Sequence, residues 1–95
     1  MAVAKILIVD DLVENLLLLE FALKPFEIEI VKAINADEAE RACFQDEFLM
    51  VILDVHMPGK NGIDVAKDIR ENGLNQLTPI VFLTADNVTP DLSKV

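Results

Sequence analysis

Four polar side chains stand where short apolar runs of the sequence end. They are Asp10 and Asp11 after KILIV, Asp54 after LMVIL, and Thr84 after PIVFL. In an open parallel sheet, ligands bind beyond the carboxyl ends of the strands, near the point where the strand order reverses. If the first and third runs form neighbouring strands, the three aspartates converge on one small pocket.

Three carboxylates in one pocket favour a bound cation. Two carboxylates about 4 Å apart at a protein surface repel each other by roughly 4 kcal/mol, so such a cluster takes up protons or binds a positive ion. Oxygen ligands with open positions suit magnesium, and a carboxylate beside magnesium can attack a phosphoryl group. Each residue also has a simpler explanation, because Asp10 or Asp11 can cap a helix and Thr84 can be an ordinary strand residue. Their joint position at one end of the sheet favours the phosphoryl site.

The apolar runs alternate with longer segments of helical pattern. Strands are predicted over 5–10, 27–33, 48–54 and 79–85, and helices over 14–24, 36–46 and 62–72. Three of the strand runs are almost continuously apolar, which is typical of strands covered on both faces of a parallel sheet. The second alternates Ile and Val with Glu and Lys and is predicted to be an edge strand. The order βαβαβαβ predicts a single α/β domain with a doubly wound parallel sheet.

Local signals mark the ends and faces of the helices. Pro25 stops the first helix, and Asn35 with Glu38 forms a capping-box pattern before the second. Gly73 suits a left-handed cap after the third helix. The predicted buried faces are Ala36, Ala39, Ala42 and Cys43 on the second helix, and Ile63, Ala66 and Ile69 on the third. Thr89, Pro90 and Asp91 resemble the start of a further helix.

Composition excludes several classes of partner. The 17 acidic and 8 basic residues leave a net charge of -9, which repels nucleic acid and anionic lipid. No apolar run approaches the roughly 18 residues that span a bilayer, so we expect no membrane segment and no secretory signal. The single cysteine, Cys43, has no partner for an internal disulfide, which fits a reducing, cytoplasmic location; we expect it to be a small buried apolar residue.

Three motifs carry a resemblance to a known family. ILIVDD at 6–11, VILDVHMPGKNG at 51–62 and PIVFLTA at 79–85 resemble, in this order, the receiver domain of bacterial two-component response regulators. DDLVENLLLL, in which Asn15 follows Asp10 by five residues, is also similar to many receivers. The resemblance implies a flavodoxin-like fold with strand order 2-1-3-4, over a receiver domain that occupies residues 1–95 and is incomplete at its C-terminus.

The resemblance also implies roles for the acidic residues. Asp54 would accept a phosphoryl group from a phosphohistidine on a sensor histidine kinase or a histidine phosphotransfer protein. Asp11 and Asp54 would supply carboxylates to Mg²⁺, and Asp10 would act mainly through a bound water. His56 matches the position whose backbone carbonyl completes the metal site, and its imidazole would then face solvent.

Two further positions match the family's conformational switch. Thr84 would move its hydroxyl to bond the phosphoryl oxygen, and Ala85 would leave room for the phosphate. The output would be a changed surface, since phosphorylation adds charge and strong acceptors that a two-state loop can read. Such a domain assists its own phosphorylation but is not a conventional enzyme.

The sequence also departs from the family pattern. A family member continues to a fifth strand, which ends in a lysine that pairs with the phosphate, and to a fifth helix; neither element is expected here. Lys60 and Lys94 do not match the lysine position, and Lys60 is expected to be a solvated loop charge. Without a fifth strand the apolar fourth strand is an exposed edge, and a homodimer or higher oligomer is expected through that edge.

Two alternatives remain open. The chain can be a truncated or inactive receiver that serves as a protein-interaction or oligomerising module, which the absent lysine favours and the complete acidic set opposes. It can also be a phosphohydrolase of the haloacid dehalogenase type, which uses an aspartate nucleophile at a strand end. That family usually has a second aspartate two residues later, where this sequence has His56.

Overall fold

Four parallel strands and three helices alternate along the part of the chain that is described. The computed structural model describes residues 4–71 and 73–83. The elements are β1 (Lys5–Val9), α1 (Val13–Leu23), β2 (Glu29–Ala33), α2 (Ala36–Gln45), β3 (Met50–Asp54), α3 (Gly62–Glu71) and β4 (Ile80–Leu83). The strands form one sheet in the order β2-β1-β3-β4, which confirms the predicted fold class and strand order. The predicted strand end at 84–85 and helix start at 89–91 lie outside the described residues.

The sheet is centred on β1 and β3. Val9 stands opposite Ala33 of β2 on one side and opposite Leu53 of β3 on the other. Strand β3 is buried from Val51 to Asp54, as its continuous apolar run predicts. Strand β2 pairs with β1 at one edge of the sheet, and its charged side chains are exposed, which confirms the predicted edge strand and protects that edge from pairing with other chains.

Helices cover both faces of the sheet, and the sheet separates the hydrophobic core into two parts. The core between the sheet and helices α2 and α3 is formed by Leu7, Val9, Ala33, Ala39, Cys43, Phe48, Val51, Leu53, Met57, Val65, Ala66 and Ile69. Under α1 lie Ile6, Ile8, Leu16 and Ile52. Alternate residues of β1 and β3 therefore serve opposite faces, as the two-residue period of a strand requires. Within residues 4–71 and 73–83, no helix has the length and apolar character to cross a membrane.

The capping pattern of α2 forms with one change. The side chain of Asn35 accepts a hydrogen bond from the Glu38 N–H at 2.8 Å. The Glu38 carboxylate accepts from the N–H of Ile34 at 3.0 Å, one residue earlier than in a standard capping box. Helix α3 is capped by Asn61, whose side chain accepts from the Asp64 N–H at 3.0 Å.

Predictions at the C-terminal ends and faces of the helices are mostly confirmed. Helix α1 stops before Pro25, and Gly73 adopts a φ of +80° after α3. The predicted face of α3 was wrong at Ile63, whose side chain is 49% exposed. The buried face consists of Gly62, Val65, Ala66 and Ile69, and Ile63 lies outside it because successive residues of a helix are about 100° apart around its axis.

Asn75 forms a buried polar network at the amino-terminal end of the sheet. Its side chain is fully buried and donates to the carbonyl oxygens of Cys43 and Asp46 at 2.8 Å each. Its Oδ1 accepts from the Phe48 N–H at 2.7 Å and from the Thr78 hydroxyl at 2.9 Å. These bonds use the whole capacity of a carboxamide and tie the end of α2 to the start of β3 and to the segment before β4.

We expect Asn75→Ala to lower the free energy of unfolding by about 3 kcal/mol, because it leaves the buried Phe48 N–H and two carbonyls without this partner. The measurement is urea unfolding followed by circular dichroism, since the sequence has no Trp or Tyr. The control is Gln76→Ala at the exposed neighbouring position, with an expected change below about 0.5 kcal/mol. Equal effects of the two substitutions would contradict the role given to Asn75.

Candidate functional site

Asp10 directly follows β1, and hydrogen bonds hold both its backbone N–H and its carboxylate. Its N–H donates to the Ala33 carbonyl at 3.1 Å, and its side chain is buried, with 2% exposure. Carboxylate Oδ1 accepts from the Leu12 N–H at 2.9 Å and Oδ2 accepts from Asn15 Nδ2 at 3.0 Å. Helix α1 has Leu12 as its N-cap residue. Neither aspartate is therefore the N-cap of α1, although the Asp10 carboxylate accepts the N–H of the N-cap residue.

Asp54 is the last residue of β3 and is 7% exposed. Burial raises the pKa of its carboxyl group, and the negative charges of Asp10 and Asp11 raise it further. The His56 N–H, which donates to Asp54 Oδ1 at 3.1 Å, acts in the opposite direction on the pKa. A carboxylate in this position is poorly compensated by the protein alone.

The three aspartates meet at the carboxyl ends of β1 and β3. Each of Asp10, Asp11 and Asp54 offers a carboxylate oxygen, and these atoms lie within 4.8 Å of one another. Asp11 is half-buried while the other two are buried, so the cluster opens to the surface on one side. An all-oxygen, acidic donor set at this spacing fits a hard divalent cation such as Mg²⁺, because a cation offsets the mutual repulsion of the carboxylates.

Residues 55–61 lead from the acidic cluster into α3. The His56 imidazole is exposed, as expected, and Met57 is buried in the core below α2 and α3. Gly59 adopts a φ of +83°, a conformation that residues with a side chain rarely adopt. Gly62 donates its N–H to the Val55 carbonyl at 2.9 Å, so the first turn of α3 lies directly against the end of β3.

The Lys60 side chain is 39% exposed and is also ion-paired. Its ammonium contacts the carboxylates of Glu40 on α2, at 2.7 Å, and of Asp68 on α3. These hydrogen bonds raise the pKa of the lysine. The Lys60 side chain is exposed on the loop, as expected, but the two ion pairs were not predicted, because their carboxylates come from α2 and α3. Thr84, Ala85 and Lys94 lie outside the described residues.

Sequence reasoning overlooked two residues that shape the site. Asn15 was noted only as part of a resemblance, yet its amide binds Asp10 directly. Gly62 was given no role of its own, yet a Cβ atom at this position would overlap the Asp54 carbonyl oxygen and lie 2.9 Å from the Val55 Cα. Both contacts join residues from different elements, so the spacing of apolar residues carried no signal for them.

Comparison with known proteins identifies the family. The model of the response regulator receiver domain matches residues 6–95, and the chain therefore belongs to this family of two-component signalling domains, not to the haloacid dehalogenases. The chain is 40% identical over 81 residues to the transcriptional regulatory protein ResD of Bacillus subtilis. It is 33% identical over 90 residues to the sensory/regulatory protein RpfC of Xanthomonas campestris.

These matches cover most of this chain and a small part of the relatives. They span 85% of the chain and 32% of ResD, and 92% of the chain and 12% of RpfC. The chain thus spans about a third or less of the length of these two curated relatives.

Solved structures share the fold. The chemotaxis protein CheY4 of Vibrio cholerae is 28% identical with a TM-score of 0.83, over 98% of this chain and 78% of that one. A structure of the histidine kinase ThkA in complex with the response regulator TrrA contains a chain that is 38% identical with a TM-score of 0.77. That match covers 86% of this chain and 69% of the other.

We expect Gly62→Ala to lower the free energy of unfolding by about 3 kcal/mol, because the new methyl group displaces the backbone at Asp54. The matched control is Gly59→Ala, where no atom lies within 4 Å of the new Cβ and only the positive φ is strained, at about 1 kcal/mol. Urea unfolding of both variants measures the difference. A larger loss for Gly59→Ala than for Gly62→Ala would contradict the crowding at Asp54.

Proposed function

We propose that this chain is the phosphoacceptor domain of a two-component phosphorelay and that Asp54 accepts the phosphoryl group. The observation that carries the proposal is the position of Asp54. Its carboxylate is buried at the end of a central strand, within 4.8 Å of the carboxylate oxygens of Asp10 and Asp11. Support also comes from the chain's membership of the response regulator receiver family.

The chemistry follows from the surroundings of the Asp54 carboxylate. One of its oxygens, Oδ1, accepts the His56 N–H, which orients the carboxylate. An oxygen of Asp54 attacks the phosphorus of a phosphohistidine, a P–O bond forms, the P–N bond breaks, and its electron pair returns to the imidazole of the donor. The domain assists this transfer by positioning its carboxylate, and we do not class it as a conventional enzyme.

Mg²⁺ is the proposed cofactor. Asp11 and Asp54 would hold it through their carboxylates, Asp10 would assist through a bound water, and the His56 carbonyl would complete the set. When bound, the cation supplies charge compensation for the transferring phosphoryl oxygens. Asp11 is the most exposed of the three aspartates, which supports a role as direct ligand.

The switch and the phosphodonor belong to the same proposal. Thr84 would bond the phosphoryl oxygen after transfer, and Ala85 would leave space for it. The donor would be a sensor histidine kinase or a histidine phosphotransfer protein. Support comes from a similar chain in a structure that contains a histidine kinase and a response regulator, and from a 32% identical relative described as the sensor histidine kinase AruS.

We expect one phosphoryl group on the chain after incubation with Mg²⁺ and a small acyl phosphate, measured by intact-protein mass spectrometry. Hydroxylamine should remove this group, since it cleaves an acyl phosphate and leaves phosphoserine and phosphothreonine intact. Asp54→Asn should lose the labelling, because an amide oxygen is a poor nucleophile.

The matched control is Asp64→Asn on the exposed first turn of α3, which removes the same charge outside the cluster. Asp64→Asn should be labelled like the wild type. Equal labelling of the Asp54 variant, or labelling that resists hydroxylamine, would remove the claim for Asp54.

A second candidate function is that of an oligomerising module. Among the described strands, β4 pairs with β3 only, and its Val81 and Phe82 side chains are 43% and 44% exposed. An apolar strand at the edge of the described sheet favours pairing with another copy. We propose that this 95-residue chain forms a homodimer through β4.

For the wild type, we expect light scattering coupled to size-exclusion chromatography to give the mass of a dimer at micromolar concentration. Phe82→Lys should shift the mass to that of a monomer, because a charge cannot be buried at the paired edge without a partner. The control is Leu77→Lys, at a side chain that is 95% exposed and outside β4. A folded wild-type monomer over the whole concentration range would contradict the dimer and leave the phosphoacceptor proposal intact.

A further inference from the structure

We propose that Asn15 is a positioning residue for divalent cation binding, acting through the carboxylate of Asp10. This inference rests on the proposed Mg²⁺-dependent function and adds to it a residue outside the acidic cluster. Asn15 would contact neither the cation nor the phosphoryl group. Its role is to hold one carboxylate of the cluster in the orientation that faces the other two.

The geometry begins with the position of Asn15 on α1. Helix α1 starts at Val13 after the N-cap residue Leu12, so Asn15 is the third residue of the helix. A side chain at this position can reach back over the segment before the helix. Here the amide Nδ2 reaches Asp10 Oδ2 at 3.0 Å.

The bond to Asn15 completes a two-point restraint on Asp10. Oδ1 already accepts from the Leu12 N–H at 2.9 Å, and a single bond of this kind leaves the plane of the carboxylate free to turn. With a second donor on Oδ2, both oxygens have fixed directions. Each carboxylate oxygen has two lone-pair sites, so both retain acceptor capacity toward a cation or its bound water.

The donor is itself held in place. Asn15 is half-buried, and the next residue, Leu16, is 2% exposed in the core under α1. The Asn15 N–H also donates to the Leu12 carbonyl at 3.1 Å. The packing of α1 against the core therefore fixes the position of Asn15, and Asn15 in turn orients the Asp10 carboxylate.

The chemistry of the amide suits a cation site. A carboxamide donates a hydrogen bond without bringing a positive charge, so it orients Asp10 without competing with the cation for the cluster. A lysine or arginine at the same position would neutralise Asp10 and repel a divalent ion. Groups that orient the ligands of a metal commonly change metal affinity by tenfold or more when they are removed.

The test measures the Mg²⁺ dissociation constant of the folded 95-residue chain by ¹H–¹⁵N NMR titration. Asn15→Ala removes the donor but keeps the helix, since Ala has the highest helix propensity. We expect the Mg²⁺ dissociation constant to rise roughly tenfold, a loss of affinity larger than any decrease in the folded fraction accounts for. Asn15→Ser, which is also too short to reach Asp10 Oδ2, provides a second variant with the same expected loss.

The matched control is Asn35→Ala, since Asn35 also serves the first turn of a helix but bonds the Glu38 N–H. This variant should lose stability because α2 loses its cap, while its Mg²⁺ dissociation constant should stay within twofold of the wild type. Comparison of the Asn15 and Asn35 variants thus distinguishes an effect on metal binding from an effect on helix stability. A purely structural role for Asn15 would produce the same pattern as Asn35.

The outcomes distinguish the positioning role of Asn15 from the proposed Mg²⁺ cofactor. If the wild type binds Mg²⁺ and both Asn15 variants bind it equally well, the positioning role is wrong while the phosphoacceptor proposal stands. If Mg²⁺ affinity falls only in proportion to the loss of folded protein, the positioning role is also wrong. If the wild type binds no Mg²⁺ at millimolar concentration, both the positioning role and the proposed cofactor fail.

Discussion

The parallel pairing of β1 with β3 is the constraint on which the site depends. Because Val9 lies opposite Leu53, the next residues along the chain, Asp10 and Asp54, stand side by side at the carboxyl ends of the two strands. No loop conformation has to bring them together. The strand order reverses at this pair of strands, so the surrounding helices leave the carboxyl ends open to a ligand. A cluster of like charges is thereby built onto the two buried central strands of the sheet.

Like charges at this end of the sheet oppose folding, and hydrogen bonds from the backbone and from Asn15 compensate only in part. Asp10 accepts two hydrogen bonds and Asp54 accepts one, while burial and mutual repulsion raise the pKa of Asp54. Such a cluster gains most from a ligand that carries positive charge. The same environment is suited to accepting a cation and, with it, a phosphoryl group, which links the electrostatics of the free protein to the proposed function.

The two ends of the sheet differ in function: one contributes to stability and the other offers groups for ligand binding. At the amino-terminal end, the Asn75 side chain makes four hydrogen bonds within the protein, and they join segments that are distant in sequence. At the carboxyl end, acidic oxygens keep free acceptor capacity and Gly62 lets α3 approach the backbone of Asp54. The groups that stabilise the fold are thus separate from those that would bind a ligand, and packing and hydrogen bonds elsewhere offset the repulsion among the carboxylates.

The sequence by itself determined the elements, their order and the three acidic positions, because continuous apolar runs, helix caps such as Asn35 and polar residues at strand ends are local signals. It also identified the receiver family through motifs that stand far apart in the chain. Only the tertiary structure decided that Asn15 bonds Asp10, that Lys60 pairs with two helices and that Ile63 faces outward. These facts depend on the rotation of each helix and on distances between elements, which no spacing along a single element specifies.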